Sequence, residues 1–220
     1  MAIIQSAAST DLATLGPTQK SLYSVIKPDE QLGSFQVGSA SGLIAATVIS
    51  SPLFSFRWAP GTGQSCVIKR INLGVMTTTG PTSAQLIGWN LFVARAWTAS
   101  DTGGTALTPS AAAIPSTNKY RNSLQNSVTT DIRIASTGTL TAGTRVLDTQ
   151  PLNSQYAWIG ATTAGVGTTL TNTNMIAYNV NDYPLVLQNN EGFVITLALA
   201  SVVMVHQIMV NVEWFETNFY

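Results

Sequence analysis

The sequence predicts an all-β chain: an antiparallel two-sheet sandwich, with a jelly roll as the preferred connectivity and an extended N-terminal arm. Three observations lead there. Apolar residues recur with a period of two, turn residues punctuate them at short intervals, and Gly, Thr, Val and Ile are numerous. Many strands without intervening helices pack most economically as two antiparallel sheets face to face. The alternation itself leaves an immunoglobulin-like connectivity open, because both folds hide every second residue between two layers.

The elements follow in order. Residues 1–20 are small, polar and weakly patterned, and read either as a disordered segment or as an arm that orders only against a neighbouring subunit, burying Ile3, Ile4, Leu12 and Leu15 there. Residues 21–220 read as a single β-sandwich domain, with strands expected at 22–27, 43–49, 53–58, 67–76, 87–94, 156–159, 175–178, 184–187, 193–199 and 208–214. From Ile87, the set Ile87, Trp89, Leu91 and Val93 shares one face; Ile208, Val210, Val212 and Trp214 do the same near the end. Pro60-Gly61-Thr62-Gly63 and Thr79-Gly80-Pro81 are turns. Asn189-Asn190-Glu191-Gly192 separates two apolar runs at a length suited to a hairpin, so the C-terminal third reads as an antiparallel meander. Residues 98–150 are the least periodic and read as a long polar loop region, a length that is usually functional.

Charge is scarce. Only 9% of the 220 residues are charged, ten basic against ten acidic, beside one histidine and one cysteine, while 45% are hydrophobic. Catalytic sites cluster titratable groups, so this composition argues against an enzyme and for assembly through neutral surfaces. A zero net charge with scattered Lys and Arg gives no electrostatic footprint for nucleic acid, so no direct DNA or RNA contact is expected. It also leaves little repulsion between copies, which favours self-association. The apolar stretch 193–209 is interrupted by Thr196, Ser201, His206 and Gln207 and is too short to span a membrane; it reads as two strands and a turn. The start of the sequence carries neither the basic nor the long apolar region of a secretory signal.

A search for chemistry yields no catalytic, cofactor-binding or metal-ligating set. Cys66 is alone and reads as a buried small hydrophobe. His206, among apolar neighbours at a strand start, reads as a satisfied structural histidine. Gly61-Thr62-Gly63-Gln64-Ser65-Cys66 lacks the spacing and lysine of a phosphate loop, and no G-x-S-x-G elbow is present. Asp148, Glu191 and Glu213 could supply paired carboxylates only if the fold brings them together. Asp29-Glu30 reads as a solvated turn. Trp58, Trp89 and Trp214 follow the apolar alternation into the core, whereas Trp97 and Tyr120, with Arg121, stand at the polar region and are candidates for subunit contact. Arg57, Arg95, Arg133 and Arg145 sit beside apolar residues and are expected to bridge to acids such as Asp101, Asp131 and Asp148.

Phe54-Ser55-Phe56-Arg57-Trp58, Leu91-Phe92-Val93-Ala94-Arg95-Ala96-Trp97 leading into Asp101-Thr102-Gly103-Gly104-Thr105-Ala106, and Lys119-Tyr120-Arg121-Asn122-Ser123-Leu124 form an ordered series. Asp131-Ile132-Arg133-Ile134-Ala135-Ser136-Thr137, Gly143-Thr144-Arg145-Val146-Leu147-Asp148, Pro184-Leu185-Val186-Leu187, Glu191-Gly192-Phe193-Val194-Ile195 and Val210-Asn211-Val212-Glu213-Trp214 continue it. Together, over residues 53–216, they resemble a family of virion structural proteins from tailed bacteriophages. The resemblance implies a non-enzymatic β-sandwich of the particle, a decoration or cement protein on the capsid exterior, made in the bacterial host cytoplasm. Its implied partners are its own copies, as a homo-oligomer such as a trimer, and the major capsid protein, with no membrane partner. A tail or baseplate component is the alternative within the particle. A glycan-binding host-attachment module is the alternative outside that role, because exposed aromatic faces can stack on sugars.

Overall fold

A computed structural model describes residues 14–15, 22–23, 33–45, 47–60, 63–107, 118–119, 131–161, 169–179, 183–200 and 204–218. Among them, all regular secondary structure is strand. In chain order these are β1 (Thr14–Leu15), β2 (Leu22–Tyr23), β3 (Gly33–Ala40), β4 (Pro52–Trp58), β5 (Ser65–Thr79), β6 (Gln85–Arg95), β7 (Thr105–Ala106), β8 (Asn118–Lys119), β9 (Asp131–Ile134), β10 (Val146–Leu147), β11 (Asn153–Ile159), β12 (Thr169–Ala177), β13 (Leu185–Leu187), β14 (Glu191–Leu197) and β15 (Val205–Thr217).

Two antiparallel sheets face each other. One has the order β12-β5-β15-β3-β8, with β13 beside β12 along β5; the other has β10-β6-β14-β4-β9-β7, with β11 beside β10 along β6. Eight long strands form the frame, β12-β5-β15-β3 against β11-β6-β14-β4, and successive strands mostly cross from one layer to the other. That is jelly-roll connectivity. β1 and β2 pair with each other as a separate two-stranded unit.

The layers meet through their period-two faces. β4, β6 and β14 turn Phe54, Phe56, Trp58, Trp89, Leu91, Phe193 and Ile195 inward, and β3, β5 and β15 answer with Phe35, Val37, Ile71, Leu73, Val210, Val212 and Trp214. An aromatic chain crosses the gap. Phe193 stacks on Phe54 and Phe56 at 5.9 and 5.1 Å, Phe56 meets Trp214 edge-on at 5.2 Å, and Trp214 reaches Phe35 at 5.8 Å. Buried aromatics of this kind carry most of the apolar area that holds two sheets together.

Four expectations need correction. The strand expected at 43–49 is irregular: Ile44 and Thr47 make isolated bridges, that of Ile44 to His206, and Ser50 adopts a φ of 65° to turn the chain toward β4. β3 was not expected, because only Phe35 and Val37 of its eight residues are large apolar ones; its place is fixed by pairing along β15 from Ala40 opposite Met209 to Gly33 opposite Glu216. The C-terminal third is not a meander. β13 lies beside β5 in one sheet and β14 beside β4 in the other, so the 188–190 turn is a corner between layers, with Asn190 at a φ of 62° donating its N–H to Trp58 O. Finally, the 98–150 region is not all loop, since β7, β9 and β10 extend the sheet that holds β4. Of the strand expected at 22–27, residues 24–27 lie outside the described residues.

Candidate functional site

Two surfaces of the sandwich carry unusual chemistry. The first is the outer face of the sheet holding β4, where the segment after β6 folds back over the strands. Trp97 is its anchor. The indole has 0% exposure, joins Ala94, Val194 and Leu147 in a small second core, and donates its Nε1–H to Ala99 O at 3.0 Å. It rests on Gly192, where a Cβ would stand 2.8 Å from the ring and 2.1 Å from Phe56 O. The side chain of Arg145 is buried above the same indole, 4.7 Å from the ring centroid, and is ion-paired with buried Asp101. Asp101 also accepts the Gly143 N–H at 2.8 Å. Burial lowers the Arg145 pKa to about 10, so the guanidinium still carries its charge at neutral pH.

Three more arginines fasten the segment. Arg57 donates to Trp97 O at 2.9 Å, to Ser100 Oγ at 3.0 Å and to Asn190 Oδ1 at 3.2 Å. Arg95 donates to Asp148 at 2.9 Å and to Glu191 at 2.7 Å, and the hydrogen bond to Asp148 raises its pKa. Arg133 pairs with Asp131 and donates to Gly103 O at 3.1 Å. The expected bridges to Asp101, Asp131 and Asp148 therefore form, and their common effect is to clamp one covering segment onto one sheet.

The second surface is a flank without charge. No Asp, Glu, Lys or Arg occurs from 149 to 181, the stretch containing β11 and β12. β11 pairs with β6 in seven consecutive positions, Asn153 opposite Leu91 through Ile159 opposite Gln85. Opposite residues share a face, so Trp158 stands beside Leu86, and Tyr156 stands over Gly88, both on the outer side. They are 66% and 56% exposed, too much for core residues. Asn90 and Ser154 continue the row, joined by a hydrogen bond from Ser154 Oγ to Asn90 Oδ1 at 2.7 Å. Where β11 begins, Leu152, Ile176, Tyr178, Tyr183, Pro184 and Leu185 line an open groove of about 420 Å³. Leu43, Val48 and Ile49 are also exposed, on the β3–β4 connection.

The residues singled out from sequence fare unevenly. Trp97 is enclosed and presents no surface for a subunit contact, because the 140–148 return covers it. Ile3, Ile4, Leu12, Tyr120 and Arg121 lie outside the described residues, as do Asp29 and Glu30; Leu15 is placed only by its pairing with Leu22. Trp58, Trp89 and Trp214 are core residues. Asp148 and Glu191 do come together, on Arg95, but Glu213 lies in the other sheet on Arg70. His206 is fully buried, yet neither ring nitrogen has a hydrogen-bond partner among the described residues, so it is structural without being satisfied. Burial lowers its pKa to about 4 and keeps it neutral. Cys66 is buried, and burial, then the charge of Glu216, pushes its thiol pKa well up. Sequence reasoning missed Tyr156 and Trp158; the signal available was an aromatic pair two residues apart inside the charge-free stretch.

No protein-family model, curated protein or solved structure matches this chain.

Proposed function

We propose that the chain is a non-enzymatic structural protein of a tailed-phage particle, a decoration or cement protein on the outer capsid surface. The observation that carries this reading is the division of labour among its side chains. Each described acid is occupied as a structural group: Asp101, Asp131, Asp148, Glu191 and Glu213 hold arginines, and Glu216 accepts the Trp214 indole N–H. The exposed aromatics Tyr156 and Trp158 lie where charge is missing. A stiff slab with neutral adhesive surfaces suits attachment that tolerates salt, and many copies on one particle multiply small contact energies. The ordered motifs resembling tailed-phage virion proteins support the choice of a tailed-phage particle.

Mass spectrometry of purified particles tests the reading. Many copies per particle are expected, and absence of the chain overturns it. Within the particle, removal of residues 1–20 is expected to weaken attachment while the sandwich stays folded.

One observation favours a second reading, a glycan-binding attachment module: Tyr156 and Trp158 are exposed beside the hydrogen-bonded Asn90 and Ser154. Quenching of tryptophan fluorescence by members of a glycan panel supports that reading, and silence across the panel removes it.

A further inference from the structure

The two edges of the uncharged flank are built differently. β12, the outer strand of one sheet, is interrupted by register shifts between Leu170 and Thr173 and between Asn174 and Ile176. Bulges of this kind twist an edge away from pairing with another chain. β11, the outer strand of the other sheet, has none. Its seven residues keep unbroken register with β6, contain no proline and no charge, and among the described residues have no strand on their other side. A straight, neutral edge offers a row of backbone N–H and C=O groups, so the partner that fits it is another strand.

The side chains say which strand. An antiparallel pair of β11 strands related by a two-fold axis at Ala157 sets Tyr156 of each copy opposite Trp158 of the other. The outer face then carries one unbroken apolar row through both subunits, with the Trp158–Leu86 pair of one copy running into the Tyr156–Gly88 pair of the next. No like charges meet, because the flank has none from 149 to 181. We propose that this chain forms a two-fold dimer through β11, joining the β11-bearing sheets of two copies into one continuous sheet. The proposal rests on the assembly reading above and deepens it by naming the partner and the contact.

The test uses the purified full chain without any particle. Sedimentation velocity is expected to show a dimer, and Trp158→Lys is expected to weaken it by at least about tenfold through loss of both cross-strand aromatic pairs. Trp158 is 66% exposed, so the variant keeps its fold, which near-ultraviolet circular dichroism verifies. Independently, Ala157→Cys is expected to cross-link two copies on mild oxidation, whereas Ser154→Cys is not, since only the residue on the axis meets itself. Buried Cys66 gives no background. A monomer at all concentrations, a trimer, a dimer indifferent to Trp158→Lys, or no cross-link through Ala157→Cys each overturns the proposal. Failure of the particle reading is separate: a dimer of this kind whose chain is missing from purified particles removes the phage role and leaves the contact standing.

Discussion

The ring of Tyr156 packs against Gly88 on the neighbouring strand, so close that a Cβ on that glycine would stand 2.5 Å from Tyr156 Cδ1 and 3.1 Å from the Ala198 methyl. The glycine is there because an aromatic ring occupies its side-chain space, a pairing that restores the packing a bare backbone would lose. Replacing Gly88 by Val is expected to swing the ring outward and to cost about 1–3 kcal/mol, as overpacking does. Chemical denaturation measures the cost, and the near-ultraviolet signal of tyrosine reports the ring. An unchanged midpoint and spectrum would show that the contact is not selective.

The buried pair under Trp97 gives a larger effect. Asp101→Ala leaves the Arg145 guanidinium enclosed without its carboxylate, and the expected loss is about 3–5 kcal/mol. Removing both charges, with Asp101→Leu and Arg145→Met, is expected to recover most of that loss. If the single and double variants unfold at the same denaturant concentration, the charge pair is not what holds the segment down.

His206 sets an acid limit on stability. Its pKa is lowered from 6.5 to about 4 by burial, so above pH 6.5 the imidazole is neutral both folded and unfolded and the stability is fully present. As the pH falls from 6.5 toward 4, the unfolded chain binds a proton that the folded chain excludes, and stability falls by up to roughly 3 kcal/mol. His206→Leu is expected to flatten this window while leaving the carboxylate-driven loss at lower pH. Parallel slopes for the two proteins between pH 6.5 and 4 would place the acid sensitivity elsewhere.

Cys66 should be silent until the domain opens. With its thiol buried and its pKa raised, the thiolate that reacts with alkylating reagents is scarce in the folded chain. Labelling is expected to follow global unfolding, at the same rate as loss of tryptophan fluorescence. Rapid labelling of the native protein would mean that the end of the sandwich near Glu216 opens locally.

These effects differ in how far they could be foreseen from residue order. Strands such as β6 and β15 were legible because large apolar residues occupy every second position, and the all-β class follows from them. Their assignment to layers was not, since Phe193 on one sheet and Trp214 on the other obey the same alternation. Only the pairing partners separate a corner from a hairpin. The arginine bridges were legible for the opposite reason: with so few charges, an Arg beside apolar residues has few acids to meet, and Arg145, Arg133 and Arg95 reach Asp101, Asp131 and Asp148. Trp97 misled because it stands at a strand end before a polar stretch, which locally looks like a surface. Its cover comes from residues some fifty positions later, around Arg145, Leu147 and Asp148. Trp158 was hidden by the same difficulty reversed, an indole in a strand that the tertiary structure leaves uncovered.

In the sandwich, β3 lies against β15, with Phe35 opposite Trp214. The first wall of the domain therefore waits for the last one to be synthesised. A ribosome that stalls before Val205 leaves β3 with only β8 beside it and β5 with only β12 and β13, so that Phe35 and Ile71 each lack the central strand that joins the two halves of the sheet. Closing that sheet is therefore a late step, and chains truncated before it are expected to go to chaperones or proteases.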